Sequence, residues 1–114
     1  MEDGERVRSL ALAFEGAFED HPFGPDPVFK AANGKIFVFS GRSADDTLRL
    51  SLKLTPPEAA EALTLPFVSV APYVGRYGWV SVAPTTDVEW EIVEAWIQRS
   101  HELVTSRKGR QVRK

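Results

Sequence analysis

Residues 47–54 read Thr-Leu-Arg-Leu-Ser-Leu-Lys-Leu, and this pattern indicates the main architecture of the chain. Leucine occupies every second position and polar or cationic residues stand between the leucines, which is the two-residue period of a β-strand. The four leucines share one face and need a hydrophobic cover, whereas Arg49, Ser51 and Lys53 share the other face and need contact with water. The stretch therefore predicts a sheet with one covered face and one open face.

An Asn-Gly pair just upstream predicts a β-hairpin. Asn33-Gly34 tolerates the positive φ angles of a two-residue type I′ turn, and it stands between the segments Val28–Ala32 and Lys35–Ser40. A turn of this length pairs Lys30 with Phe37. In that register one face carries Phe29, Ala31, Ile36 and Val38, and the open face carries Val28, Lys30, Lys35, Phe37 and Phe39.

Apolar spacing and capping signals predict helices on both sides of these strands. Residues 5–18 have the pattern of an amphipathic helix that includes Phe18. Thr55 and Glu58 form a capping box that opens a short helix from Pro56 to about Leu63. A further strand is expected at Trp79–Ala83.

A second capping box, Thr86 with Glu89, predicts a long helix that runs to about Val104. Its apolar stripe consists of Val88, Ile92, Trp96 and Leu103, widened by Val93 and Ile97. One such stripe is enough to hold a helix against a sheet.

The order of elements is helix, three antiparallel strands, short helix, strand and long helix. This order is typical of an α+β fold, and we expect an antiparallel sheet with the two long helices packed on one face. Residues 1–106 form a single domain in this interpretation. Residues 107–114 contain five bases, no acid and no apolar period, and they are expected to be a disordered basic tail.

Composition sets the broad class of the protein. The chain has 114 residues and no cysteine, which excludes disulfides, thiolate nucleophiles and cysteine-based metal sites. No stretch approaches the roughly 18 apolar residues that span a bilayer, and the acidic start, Met-Glu-Asp-Gly-Glu, is unlike a signal peptide. We expect a cytoplasmic protein without a membrane anchor, and we expect it to be a monomer.

Catalytic chemistry finds little support in the sequence. The two histidines are His21, in a proline-rich loop, and His101, near the end of the last helix, where a positive charge suits the helix dipole. The sequence has no Ser-His-Asp order, no phosphate-binding loop and no metal-ligand spacing. We therefore expect no catalytic residue, no metal and no cofactor.

The open face combines cations with aromatic side chains, and this combination is typical of nucleic-acid binding. Its cations are Lys30, Lys35, Arg49 and Lys53, with Phe37 and Phe39 between them. Trp79 and Arg76 join this face from the last strand and its loop. In the alternative interpretation, the short helix or the 66–78 loop covers the phenylalanines, and the lysines are ordinary solvated side chains.

The charge of the chain limits how strongly it would bind DNA. The net charge is −2 and the pI is about 5.7, whereas nucleic-acid-binding domains commonly have a pI above about 9. Bases exceed acids by two within residues 27–83, while residues 1–26 and 84–106 are acidic. Binding to DNA is therefore predicted to be weak and salt-sensitive.

The same surface is also typical of a contact with another protein. Aromatic side chains and arginine dominate the energetics of protein interfaces, and four of them are clustered here. They are Tyr73, Arg76, Tyr77 and Trp79. Gly75 and Gly78 would let this loop approach a partner closely. In the alternative interpretation, Trp79 packs into the core beside Val80 and Val82.

Five short motifs follow one another along the chain. They are Pro-Phe-Gly-Pro (22–25), Val-Phe-Lys (28–30), Gly-Lys-Ile-Phe (34–37), Leu-Ser-Leu-Lys (50–53) and Ala-Pro-Tyr-Val-Gly-Arg-Tyr-Gly-Trp-Val (71–80). Their order and spacing over residues 7–105 resemble the MmcQ/YjbR family. The resemblance implies a small bacterial protein with a CyaY-like fold, and it implies DNA binding through a "double-wing" motif, which is itself a prediction for that family.

The resemblance implies no catalytic residues. The positions that match best are Tyr73, Gly75, Arg76 and Trp79, together with Lys30 and Lys53 on the matching strands. Tyr77 stands where relatives often have a basic residue, so one positive charge is missing here. The candidate nucleic-acid-binding residues are therefore Lys30, Lys35, Arg49, Lys53, Tyr73, Arg76 and Trp79.

Overall fold

One antiparallel sheet of six strands, together with three helices, makes up the regular structure of the described residues, which are 2–71 and 78–106 of a computed structural model. The elements in chain order are α1 (Asp3–Leu12), β1 (Phe18–Asp20), β2 (Val28–Lys30), β3 (Ile36–Arg42), β4 (Leu48–Lys53), α2 (Pro56–Ala62), β5 (Val68–Val70), β6 (Trp79–Val82) and α3 (Asp87–Thr105). The strands lie side by side in the order β1-β2-β3-β4-β6-β5. The predicted α+β class is confirmed, and the predicted tail, residues 107–114, lies outside the described residues.

The leucines of residues 47–54 form the centre of the hydrophobic core. All four are buried, with between 0 and 7% of their surface exposed. Val7 of α1 and Ile97 of α3 belong to the same buried cluster, so both helices contribute to the cover of this face. Burial of these apolar side chains is the main stabilising contribution to the fold.

The first helix is shorter than its apolar spacing predicts. It ends at Leu12, and Phe18, expected on the helix, is instead the first residue of β1. Gly16 has a φ of 79°, in the left-handed region, so the chain turns there and leaves the helix. The strands β1 and β5 were both missed by sequence analysis because three residues are too few to show a period.

Both predicted capping boxes are present. Thr55 accepts a hydrogen bond from the backbone N–H of Glu58, and the Glu58 carboxylate accepts one from the N–H of Thr55 at 3.0 Å. Thr86 and Glu89 make the same reciprocal pair at the start of α3. The backbone N–H of Thr55 lowers the pKa of Glu58, and the backbone N–H groups of Thr85 and Thr86 lower the pKa of Glu89. The starts of α2 and α3 are therefore set by local sequence.

The buried stripe of α3 differs from the predicted one. Val88, the first residue of the predicted stripe, is 65% exposed. The buried residues are Trp90, Val93, Ile97, Ser100 and Val104. Val93 and Ile97 belong to the predicted stripe as well, so the prediction is confirmed at these two positions. A serine completes the observed stripe, and the spacing of apolar residues alone therefore centres the stripe on neighbouring positions.

The hairpin between β2 and β3 has a three-residue loop, so the predicted type I′ turn is wrong. Gly34 has a φ of 86°, whereas the φ of Asn33 is not positive. The N–H of Gly34 donates to the carbonyl oxygen of Ala31, and the N–H of Ala31 donates to that of Lys35, both at 2.8 Å. This is the pattern of a type I turn followed by a glycine bulge. The Asn33 side chain donates to the carbonyl oxygen of Val104 at 3.0 Å and so ties the loop to the end of α3.

A β-bulge in β3 moves Phe37 to the covered face. Phe29 pairs with Val38 as predicted, but Lys30 pairs with Ile36 and leaves Phe37 as the extra residue. The ring of Phe37 has no exposed surface and makes an edge contact with Phe14, with ring centroids 5.6 Å apart. The prediction that Phe37 lies on the open face is therefore wrong.

Ser100 of α3 holds this bulge in place. Its hydroxyl donates to the carbonyl oxygen of Phe37 at 2.7 Å and accepts from the backbone N–H of Lys53 at 2.9 Å. The pairing of β3 with β4 ends with Val38 opposite Leu52. The hydroxyl therefore bonds to the next backbone group on each strand, the carbonyl of Phe37 and the N–H of Lys53. Because Ser100 is fully buried, water cannot replace it.

We expect Ser100→Ala to lower the free energy of unfolding by about 2–3 kcal/mol, because it leaves a buried carbonyl and a buried N–H without partners. Chemical denaturation monitored by circular dichroism measures this loss. Ser9→Ala, at an exposed position of α1, is the matched control and should change the stability by less than about 0.5 kcal/mol. A similar small effect of Ser100→Ala would contradict the role assigned to the hydroxyl.

His101 packs between two aromatic rings. Its imidazole stacks on Phe14 with centroids 4.1 Å apart and makes an edge contact with Phe37 at 4.9 Å. Burial lowers the pKa of His101, although Glu102 acts in the opposite direction. A favourable charge at the helix end is therefore not its role, since the folded protein favours the neutral ring.

We expect the stability to fall as the pH drops from about 6.5, because the unfolded chain binds a proton at His101 at a pH where the folded protein does not. The contribution of His101 to the free energy of unfolding is complete above the pKa of His101 in the unfolded chain. It is lost as the pH falls toward the lower pKa of His101 in the folded protein. Thermal denaturation between pH 5.5 and 7 measures it as the difference between the wild type and His101→Phe, which keeps an aromatic ring and cannot titrate. Parallel pH curves for the two proteins would contradict the prediction.

Candidate functional site

Strand pairing defines which residues share the open face of the sheet. Cross-strand partners lie on the same face, and the rows that alternate with the buried leucines therefore face away from the core. Among the described strands, the open face includes Asp20, Val28, Lys30, Phe39, Arg49, Ser51, Lys53, Ser69, Trp79 and Ser81. Val28 lies on this face as predicted, although its side chain is buried. One row runs across four strands as Phe39, Ser51, Ser81 and Ser69, and Lys53 lies opposite Trp79. The predicted placement of Arg49 and Lys53 on one face agrees with this register.

Three aromatic rings are in contact across the open face. Phe39 meets Trp79 edge to face, with centroids 5.2 Å apart, and Phe23 lies beside Phe39 at 6.3 Å with an angle of 25° between the planes. Phe23 is 69% exposed, and the other two rings are half-buried. We call Phe23, Phe39 and Trp79 the aromatic row. Trp79 thus lies on the open face, while its neighbours Val80 and Val82 enter the core.

The predicted cations fall into different environments. Arg49 is exposed and Lys53 is half-buried, and neither side chain has an ion-pair partner within residues 2–71 and 78–106. The ammonium of Lys30, in contrast, lies 2.7 Å from Asp20, whose pKa it lowers. Lys35 directly follows the three-residue hairpin loop and is exposed. Of the open-face cations that the structure describes, Arg49 and Lys53 are therefore without a compensating carboxylate.

A cavity of about 430 Å³ lies beside the aromatic row. Its wall includes the ring of Phe39, the side chain of Arg49 and the hydroxyls of Ser51 and Ser81. These groups provide hydrogen-bond donors next to an aromatic surface. Asp26 also lines the cavity and places a carboxylate close to Gly41, so the site is not uniformly positive.

Gly78 positions the start of β6 and hence Trp79. It has a φ of 94°, and a side chain at this position would overlap the carbonyl oxygen of Leu54. The N–H of Leu54 donates to the Gly78 carbonyl at 3.0 Å. The close approach that this glycine permits is therefore to the chain's own backbone rather than to a partner. The remaining predicted residues of this segment, Tyr73, Gly75, Arg76 and Tyr77, lie outside the described residues.

The proline-rich segment 21–26 contributes to the site although none of its residues is a predicted site residue. Its Pro-Phe-Gly-Pro motif supports the family resemblance, and the segment also carries Asp26 and Phe23, the most exposed ring of the aromatic row. A large aromatic side chain among prolines, with no helical or strand period to bury it, is the signal that was available.

The helix side of the molecule has a second cavity, of about 410 Å³, between α2 and α3. Glu58, Glu61 and Trp96 line it together with Arg99, whose guanidinium lies 3.1 Å from Glu58 and 3.2 Å from Glu102. Because carboxylates already compensate Arg99, this cavity offers no free positive charge to an anion. Among the described residues, no group of three His, Asp or Glu side chains could hold a metal ion, and no helix is long and apolar enough to span a membrane.

Solved structures similar to this chain include two that show its fold. The crystal structure of Deinococcus radiodurans protein DR2400, described with a DUF419 domain, matches with a TM-score of 0.79 and 23% identity, over 95% of this chain and 82% of its own. The crystal structure of a protein from Pseudomonas syringae matches with a TM-score of 0.71 and 17% identity, over 90% of this chain and 98% of its own. At these identities the likeness shows the fold alone.

No curated protein matches the chain. A family model, that of YjbR, matches residues 12–103, which include all six strands and nearly all of α3. The resemblance inferred from the five motifs is thereby confirmed, and the chain belongs to the YjbR family.

Proposed function

We propose that the protein is a non-catalytic DNA-binding protein, and that its open face contacts single-stranded segments. One observation carries the proposal: three contacting aromatic rings lie next to two cations, Arg49 and Lys53, that have no ion-pair partner among the described residues. Unpaired bases expose π-faces that stack on such rings, whereas a duplex hides them.

Stacking is the larger part of the expected affinity. Each base that stacks on an aromatic side chain contributes about 1–3 kcal/mol. Phe23 provides the most accessible ring, and Phe39 and Trp79 continue the same surface toward β6. The serine hydroxyls of the open face add donors for phosphate or base edges.

Ion pairing with phosphates is the smaller part of the expected affinity for DNA. Two cations that contact phosphates on a single strand give a slope of about −1.4 in a plot of log affinity against log salt concentration. Between 50 and 200 mM salt this slope lowers the affinity about sevenfold, far less than the 10³-fold loss of a protein with six to ten phosphate contacts. Lys30 adds little because Asp20 compensates its charge.

A protein partner is the second candidate. The observation that favours it is the exposure of Phe23, at 69%, in the same aromatic row as Trp79, because aromatic side chains are frequent in interface hot spots. Such a contact would persist at high salt, whereas contact with DNA would weaken.

We propose that the protein binds DNA as a monomer in the bacterial cytoplasm and needs no cofactor. The CyaY-like relationship of its fold and the "double-wing" description of its DNA contact, both implied by the family resemblance, belong to the same proposal. The acidic balance of the chain, with a net charge of −2, is compatible with a weak and salt-sensitive interaction.

We expect the double variant Arg49→Gln/Lys53→Gln to bind a fluorescein-labelled dT12 oligonucleotide about tenfold more weakly than the wild type in 50 mM salt, because two phosphate contacts are lost. Fluorescence anisotropy measures the affinity, and its salt slope should fall toward zero. A duplex of the same length should bind the wild type more weakly than the single strand.

The matched control is Ala95→Glu/Gln98→Glu, at exposed positions of α3, which changes the net charge by the same two units on the other side of the molecule. It should change the affinity by less than about twofold, because charges beyond a Debye length are largely screened. Absence of any anisotropy change for the wild type, or an equal loss in the control, would overturn the proposed interface.

A further inference from the structure

The imidazole of His21 faces a hydrogen-bond acceptor on each side. Its Nε2 lies 2.7 Å from a carboxylate oxygen of Glu19, and its Nδ1 lies 3.3 Å from the carbonyl oxygen of Gly24. A neutral imidazole has a single N–H and can donate to one of these groups only. The arrangement is therefore complete only when both ring nitrogens carry a proton.

The charged groups around His21 favour that state. Glu19 is shared with Arg8 of α1 at 2.9 Å, and Asp20 accepts from the backbone N–H of His21 at 2.8 Å while pairing with Lys30 of β2. These two carboxylates and two cations compensate each other, so the direct contact with Glu19 decides the balance. The hydrogen bond to Glu19 raises the pKa of His21 above its ordinary value of about 6.5.

The contact with Gly24 restrains the segment that carries Phe23. Gly24 directly follows Phe23, and its φ of 109° belongs to a turn that glycine adopts readily. Phe23 lies beside Phe39, with the ring planes 25° apart, and is the outer ring of the aromatic row. The hydrogen bond from His21, which directly follows β1, to the carbonyl oxygen of Gly24 therefore limits where the Phe23 ring can go.

We propose that His21 is a pH-sensitive latch, whose doubly protonated ring joins Glu19 to Gly24 and so holds Phe23 against Phe39. When the ring loses a proton, its remaining N–H stays on the charged and closer Glu19. The unprotonated Nδ1 and the carbonyl oxygen of Gly24 are then both hydrogen-bond acceptors, and the contact between them is lost. The aromatic row is complete at acidic pH and loses its outer ring as the pH rises through the pKa of His21.

Nuclear magnetic resonance tests the latch without any ligand. Between pH 5.5 and 8.5, the ¹⁵N shifts of the His21 ring report its protonation, and the nuclear Overhauser effect between the Phe23 and Phe39 rings reports the closed segment. The Overhauser effect should fall at least threefold with the same midpoint as His21. His101→Phe, which removes the other histidine, should leave this midpoint unchanged.

Two variants separate the latch from a general effect of pH. His21→Gln cannot titrate, so its Phe23–Phe39 contact should be weak and constant over the whole range. Glu19→Gln removes the carboxylate and should shift the midpoint to lower pH. An Overhauser effect that stays constant while His21 titrates in the wild type would overturn the latch.

The effect of the latch on DNA rests on the proposed function, and binding is therefore measured separately. The affinity for dT12 should fall about fivefold between pH 6 and pH 8.5, at the lower end of what one stacking ring contributes. Phe23→Ala should bind with the weaker affinity at both pH values. If dT12 does not bind at all while the Overhauser effect titrates, the proposed function fails and the latch stands.

Discussion

A single buried hydroxyl joins the helix layer to the sheet and fixes the irregularity on which both faces depend. Ser100 bonds to the carbonyl of Phe37 and to the N–H of Lys53, two backbone groups that follow the last paired residues of β3 and β4. Without a partner inside the core, these groups would favour a straight ladder or an opening to water. Because Ser100 bonds to both backbone groups, the bulged strand forms without a straight ladder and without an opening to water.

The bulge sorts three consecutive side chains of β3 between the two faces. Phe37 turns toward Phe14 and His101 under the helices, Val38 remains in the core beside Phe29, and Phe39 points to the open face. In a regular strand Phe37 and Phe39 would lie on the same side. The irregularity therefore enlarges the core by one aromatic ring and leaves Phe39 as the centre of the aromatic row.

The features that sequence analysis predicted well are those with local causes. The alternation of Leu50 and Leu52 with polar residues, and the reciprocal contacts of Thr55 and Thr86 with a glutamate three residues later, depend on neighbours along the chain. They were visible without knowledge of the tertiary structure.

The features that it missed depend on distant residues. The bulge at Phe37 needs a serine 63 residues away, and the true hairpin turn uses the Asn33 side chain to reach Val104. An Asn-Gly pair fits both a type I′ turn and the observed three-residue loop, so local propensity cannot choose between them. Because local propensity does not show contacts with distant residues, Phe37 was a candidate for the open face and Phe23 was not.

Local charge, rather than the net charge of the chain, decides what the open face can bind. The acids of the α2–α3 cavity, such as Glu61, lie on the other side of the sheet from the open face, and at physiological salt charges are screened over a Debye length of about 8 Å. On the open face itself, Asp20 compensates Lys30, and Asp26 lines the same cavity as Arg49, so the excess of positive charge among the described residues is small. A surface with so little excess charge cannot hold a duplex through its phosphates alone. Its affinity for nucleic acid has to come from rings that bases can reach, and this requirement favours unpaired bases over paired ones.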